Sequence, residues 1–491
     1  MMIAVNMIDR PLLLGFRENT LAICDTGRWR AQVGHCPEGA HCGFKKGELF
    51  VKDPTTRADT AKALNKSRFK ISHLNKVRLN GSNSMRKHYG LLYLMLLVVL
   101  GALTLTAGCK QQIQSTVPPP SEPASSLSDD EIPADDEIMA SVTSIIEGVL
   151  ERANLCSRET VFHLDTDVEG GTVILAGKTS DNRLKQAIVD SISQIPGVTI
   201  DDQFTVMPPP ELGDKTWGVV KLPVINLGEA PGRAEGSSTV TQARMGDIVR
   251  ILDTQDGWYL VQMHDKYLGW VSPSTIALYD SDLLDAFWSG EIALITAKMT
   301  QALDAPGGGM LFAKWLVQGS VLPVVSVSDE WAELSLPGGG STFVKAESIE
   351  VFPDLDSVFQ EQKTAADIIE TAKQYLGLPY LWGGCTSYGF DCSGFTQFCF
   401  KMNGYQLRRD ADLQYEQGTP VQSVENLEPG DLVFFETYRP GPSHVGIYIG
   451  DHRYIHSGSS SGVAINSFEP SHPDYSASLA QKFLGGRRII K

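Results

Sequence analysis

Two stretches in the middle of the chain carry the same marks in the same order without a gap. "GDIVRILDTQDGWYLVQMHDKYLGWVSPSTIALY" begins at Gly246, and "GSVLPVVSVSDEWAELSLPGGGSTFVKAESIEVF" begins at Gly319. Gly246 aligns with Gly319, Trp258 with Trp331, Val271 with Val344 and Ile276 with Ile349. A repeat of this period restricts the region to two copies of one small unit. Each copy alternates apolar and polar residues over short runs separated by turn residues, so each is expected to be a small all-β barrel. Trp258 and Trp331 are expected in the barrel cores. The copies differ at "YLGW": Tyr267 and Trp270 of the first face Gly340 and Phe343 of the second. A tyrosine kept in one copy alone is either an ordinary surface residue or part of a site.

The chain has 491 residues, enough for about three or four domains. Its net charge of −16 is unevenly spread. Residues 1–84 hold 14 Lys and Arg against 7 Asp and Glu, whereas the residues after Cys109 hold 26 against 51. An acidic body excludes nucleic acid as the expected partner, because phosphate contacts need Lys and Arg. Residues 85–109 read "MRKHYGLLYLMLLVVLGALTLTAGC", a basic start, an apolar run and small residues, as in a secretory signal. Its ending resembles the lipobox of bacterial lipoproteins, which implies cleavage after residue 108 and lipidation of Cys109. A plain transmembrane anchor reads from the same run. Either way the body lies outside the cytoplasm, lipid-anchored in the first case, and Lys110 after the cysteine points to the outer membrane. A signal begins a protein, so Met85 is the expected start, and residues 1–84 are expected to be untranslated or disordered; a real cytoplasmic domain is the rival reading. Residues 109–137, rich in Pro, Ser and acids, are expected to be a disordered tether.

Residues 138–210 are expected to form a small α/β unit. "GTVILAG" at 171–177 is strand-like, and Leu184, Ile188 and Ile192 fall on one face of a helix that Ser180 or Asp181 can cap. The pattern resembles a BON-type domain, or is a generic spacer. The repeated barrels, at 214–281 and 288–353, resemble bacterial SH3-like domains.

The chemistry lies in residues 360–491. "TAADIIETAKQYL" at 364–376 reads as an amphipathic helix. "DCSG" at 391–394 precedes "FTQFCFKMNG", a helix-like segment, so Cys392 is placed at a helix start. There the dipole and free amides are expected to lower the thiol pKa and to hold an oxyanion. Cys385 falls in a loop and Cys399 in the helix body; a disulfide between them stays open. A thiolate needs a base, and the base a partner that orients it. "PSHVGIYIG" puts His444 at the head of a strand and "RYIHSGS" puts His456 on the next, so the two rings can meet across antiparallel neighbours. His452 and His472 fall in a turn and a loop. This chemistry needs no metal and no cofactor.

"YLWGG" (380–384), "DCSGF" (391–395), "GDLVFF" (430–435), "HVGIYIG" (444–450) and "YIHSG" (454–458) together resemble the NlpC/p60 family of cysteine peptidases. The resemblance implies a papain-like α+β fold and hydrolysis of peptidoglycan stem peptides. It assigns the nucleophile to Cys392, the base to His444 and the orienting role to His456, with Tyr380 near the oxyanion. A narrower resemblance is to the YkfC-like branch, which joins SH3-like barrels to this domain. That branch cleaves between γ-D-glutamate and the diamino acid of stem peptides with a free N-terminal L-alanine, such as released muropeptide fragments. It implies a substrate pocket of Tyr380, Trp382, Asp391, Ser393 and Asp410, closed by Tyr267 of the first barrel, with Asp410 on the alanine ammonium. Two positions depart from the branch: Ala411 replaces a frequent serine, and Val240 stands near an expected acid. The alternatives are a non-catalytic envelope-binding protein, or an amidase or acyltransferase on the same fold.

Overall fold

A computed structural model describes residues 134–491 and, as backbone alone, seven short strands between Ile3 and Lys52. The chain divides into two units, residues 1–122 and 123–491. In the first, Ile3–Met7 pairs with Arg10–Leu14, Thr20–Asp25 with Phe16–Arg17 and Arg28–Gln32, and His41–Lys45 with Glu48–Lys52, all antiparallel. Those pairings fall where residues 1–84 were expected to lack structure. The signal segment, Cys109 and most of the tether lie outside the described residues.

The second unit opens with the helix Asp135–Ala153, whose first turn carries Asp135, Asp136 and Glu137, the charge sign that a helix start favours. Asp135 also accepts the Gly170 and Gly171 N–H groups at 2.9 Å, tying the helix to the turn of a hairpin. That hairpin, Phe162–Glu169 and Thr172–Thr179, is joined by Thr199–Val206, which runs parallel to the second strand. A parallel pair needs a crossover, supplied by the helix Asn182–Ile192. Asp181 caps it, and Leu184, Ile188 and Ile192 are buried against both strands and the first helix.

The two repeats follow with the same plan. In the first, Ile248–Gln255, Trp258–Met263 and Leu268–Val271 form an antiparallel ladder, followed by a 3-10 turn and Ile276–Tyr279. In the second, Val321–Val327, Trp331–Ser335 and Ser341–Lys345 do the same, followed by a 3-10 turn and Ile349–Phe352. In each, a leading strand, Trp217–Val220 or Ile292–Ile295, pairs on both sides and draws the last strand back onto the first. The cores are aliphatic: Ile225, Leu227, Val249, Val261 and Val271 in one, and Ile295, Leu322, Leu334 and Val344 in the other. Trp258 and Trp331 correct the sequence reading. Both are only half-buried, at the start of a strand, and Trp331 lies under the Lys345 ammonium at 3.9 Å. An indole there packs its face against a cation rather than filling a core.

The last region places two helices on a six-stranded antiparallel sheet. The sheet runs Thr419–Val421, Phe483–Arg488, Leu432–Phe435, His444–Gly450, Arg453–Gly458, Gly462–Ser467. The helix Ala365–Lys373 is closed by a capping box of Thr364 and Asp367. The helix Cys392–Lys401 packs Phe395, Phe398, Cys399 and Phe400 against Leu432, Phe434, Val445 and Ile447 of the sheet. Cys385 and Cys399 are both free thiols.

The first barrel is bolted to this region through the loop ahead of the Cys392 helix. Arg244 Nη2 donates to the Cys385 carbonyl at 2.8 Å, and Gln242 Oε1 accepts from the Cys385 N–H and the Thr386 hydroxyl at 3.2 and 3.0 Å. Glycine is required where backbones meet. A Cβ on Gly394, within the Cys392 helix, would lie 2.2 Å from the Gly384 carbonyl oxygen. Gly394→Ala must therefore push the helix start off its loop, at about 1–3 kcal/mol of stability. Chemical denaturation is expected to show that loss, with turnover falling by more than the unfolded fraction explains, because Cys392 moves with the helix.

Candidate active site

The sulfur is set by a cap and a buried ion pair. Asp391 is the N-cap of the helix that Cys392 begins, and its carboxylate accepts the Gly394 N–H at 2.6 Å. Below it, Arg409, fully buried, donates two hydrogen bonds to Asp391 at 3.1 and 2.7 Å, one to the Ser393 hydroxyl at 3.1 Å and one to Thr241 of the first barrel at 2.8 Å. Gln414 ties the Arg409 loop to the same helix: its amide donates to the Ser393 and Arg408 carbonyls, and it accepts from Thr396. Asp391 and Ser393 are buried like Cys392 between them, and their side chains are held by Arg409, which positions the helix start.

The expectation of a lowered thiol pKa is also corrected. Burial, and after it the charge of Asp391, push the Cys392 thiol up to about 12. The N–H groups of Val445 and Ser393 and the Arg409 guanidinium pull the other way and are outweighed. Desolvation is the winning effect because the sulfur is only 7% exposed.

The base is reached from the neighbouring strand. The Val445 N–H points at the Cys392 sulfur, which fixes the preceding residue, His444, beside the nucleophile helix. His444 Nε2 lies 2.7 Å from His456 Nδ1, with the rings nearly perpendicular. Gly446, two residues along the strand from His444, lies against His456: a Cβ there would come 3.0 Å from His456 Cβ. His456 Nε2 lies 2.8 Å from Asn466 Oδ1, and the Asn466 amide nitrogen donates to the Asp474 carbonyl at 3.0 Å. This last bond sets every tautomer in the series. Asn466 must present its oxygen, so His456 carries its proton on Nε2 and accepts on Nδ1. His444 therefore carries its proton on Nε2 and keeps the Nδ1 lone pair, the form able to take a proton from a thiol. Burial, and after it His456, push the His444 pKa down to about 3, which keeps the ring neutral. Asn466 was missed in the sequence; its strand follows that of His456, and no motif marks it.

The cleft has four further walls. Tyr380, bridged to Phe390, is half-buried; burial, Cys392 and Asp391 raise its phenol, so the hydroxyl stays protonated and able to donate. Trp382 is exposed and meets Tyr438 edge-on, ring centres 6.2 Å apart. Tyr438, also missed in the sequence, has its phenol pushed up by burial and, after it, by Cys392 and Asp410. Tyr267 of the first barrel, buried, donates its hydroxyl to Asp410 at 2.8 Å. Arg158 of the α/β unit reaches the same oxygen at 2.5 Å. Of the residues named for the pocket, Tyr267 and Asp410 are joined by a hydrogen bond, and Trp382 packs on Tyr438. Cys109 lies outside the described residues.

Residues 377–480 match the NlpC/P60 family model, and residues 233–276 match the bacterial dipeptidyl-peptidase Sh3 domain. A gamma-D-glutamyl-L-lysine dipeptidyl-peptidase of Bacillus cereus is 30% identical over 227 residues, 44% of this chain and 66% of its own length. A protein of the same name from Bacillus subtilis is 40% identical over 141 residues, 28% of this chain and 45% of its own. The chain therefore spans just under two thirds of the first relative and less than half of the second. A crystal structure of an NlpC/P60 family protein from Bacillus cereus has a TM-score of 0.49 at 24% identity, covering 56% of this chain and 100% of that one.

Two outcomes follow from the histidine series. Asn466→Ala removes the group that sets both tautomers, and kcat is expected to fall about 10²-fold with KM little changed, the share that a positioned base contributes. Stability is expected to fall with acid. The folded His444 titrates near 3 and an unfolded histidine near 6.5, so between those values the unfolded chain binds the extra proton. Stability is complete above about 6.5 and is lost as pH falls toward 3. Melting curves at stepped pH check this, and His444→Gln should flatten that part of the profile.

Proposed function

We propose that the chain, whose residues 377–480 form an NlpC/P60 domain, is a cysteine endopeptidase acting on the γ-D-glutamyl–diamino acid bond of peptidoglycan stem peptides. The observation that carries this reading is a thiol at a helix start beside a histidine whose far nitrogen is fixed by His456 and Asn466. The names of the relatives support the substrate class.

The Cys392 sulfur attacks the γ-carbonyl carbon as its proton passes to His444 Nδ1. The Cys392 backbone N–H at the helix start and the Tyr380 hydroxyl receive the oxyanion. The C–N bond then breaks, His444 returns the proton to the departing amine, and a thioester remains. Water, giving a proton to His444, opens the thioester and restores the thiol. Asp410 is the carboxylate placed to take the ammonium of an N-terminal L-alanine, with Tyr267 closing the cleft beside it. A cleft closed at that end suits released fragments.

The outer parts of the chain fit an envelope location. We read residues 288–353 as a second SH3-like barrel, because they repeat the strand plan of the first. Residues 138–210, in the order helix, strand, strand, helix, strand, are read as a BON-like unit. Cys109 is the lipidation site that would hold the protein on the outer membrane, facing the wall.

Incubation with L-Ala-γ-D-Glu-diaminopimelate should release free diaminopimelate and the intact L-Ala-D-Glu dipeptide, seen by mass spectrometry. Cys392→Ala should reduce release to the uncatalysed background. Release that survives this substitution, or cleavage at the alanine bond instead, rules the reading out.

A further inference from the structure

The acid end of the cleft is already occupied by a cation of the chain itself. Arg158 lies in the turn between the first helix and the first strand of the α/β unit. Its Nη1 meets Asp410 Oδ2 at 2.5 Å and Asp412 Oδ1 at 3.0 Å, and its Nη2 meets Asp412 Oδ2 at 2.8 Å. Asp412 has a second cation, Arg439, at 3.2 Å. Two carboxylates thus face two guanidiniums, and the cleft end is charge-balanced before any substrate enters. A substrate ammonium arrives as a third cation for two acids.

The turn that carries Arg158 is held firmly. Glu159, the next residue, is buried and paired with Arg408 through two hydrogen bonds at 2.9 and 2.8 Å. The Arg158 carbonyl accepts the Leu268 N–H at 2.8 Å, and the Glu159 carbonyl accepts the Gln262 amide at 2.8 Å. Leu268 is the neighbour of Tyr267, so the turn is fixed to the same strand that supplies the tyrosine on Asp410. The backbone is anchored while the guanidinium keeps 36% of its side chain in solvent. That combination lets the side chain swing off Asp410 without moving the turn.

We propose that Arg158 is an internal competitor for the cation position on Asp410, so that the α/β unit sets how well the cleft binds peptides with a free amino terminus. The inference rests on reading Asp410 as the partner of that ammonium. While Arg158 holds Asp410, only the fraction of molecules with the guanidinium displaced binds a free amine, and the apparent affinity falls by that fraction. A peptide whose amine is acylated carries no competing charge and is indifferent to Arg158.

The test measures binding in the full chain carrying Cys392→Ala, so that no turnover intervenes. Calorimetry compares L-Ala-γ-D-Glu-L-Lys with its N-acetyl form, with and without Arg158→Ala. The expected result is about tenfold tighter binding of the free-amine peptide on removing Arg158, with the acetylated peptide unchanged. Asp412→Asn, which loosens Arg158 and leaves Asp410 intact, should move the free-amine affinity the same way by less, and it stands in if Arg158→Ala fails to fold. Free-amine binding that is unchanged, weaker or absent overturns the proposal, as does an equal gain for both peptides. Failure of the Cys392 parent chain to hydrolyse the peptide counts against the peptidase reading alone.

Discussion

The site depends on one buried ion pair. Asp391 closes the start of the helix that carries the sulfur, and Arg409 closes Asp391 from beneath while reaching Thr241 in the barrel. A carboxylate this deep is tolerated only because its charge is met and its oxygens are bonded. Deleting one partner leaves an uncompensated charge, about 3–5 kcal/mol in comparable pairs. The pair is therefore weak as a source of stability but strong as a constraint. It joins the helix, the Asp410 loop and the barrel into one frame, and the cleft geometry is inherited from it.

The same burial sets the chemistry. Depth pushes the Cys392 thiol up and the His444 imidazole down, so both groups are biased toward their uncharged forms. An uncharged thiol also resists oxidation, since the thiolate is the form that oxidants attack. Cys399, wholly buried two helix turns further in, and Cys385, enclosed by Gln242 and Thr241, are shielded by the same packing.

Much of this was legible in the residues. The repeat foretold one strand plan used twice, because its turn and core positions recur in step. The helix start at Cys392 and the meeting of His444 with His456 followed from local patterns of period 3.6 and 2. What sequence did not disclose came from the third dimension. Trp258 and Trp331 read as core by residue type, yet their place at a strand start leaves them half-open. The direction of the Cys392 shift depends on depth, which no motif encodes. Asn466 and Tyr438 act through register and loop path, and Arg158 reaches Asp410 across a separation of 252 residues.

The unequal tyrosine makes the two repeats unlike in consequence. The first places Tyr267 on Asp410, whereas the second carries glycines at the matching turn. Exchanging their order along the chain would preserve each hydrophobic interior and still strip that carboxylate of its phenol partner, so two copies of one plan are not interchangeable in place.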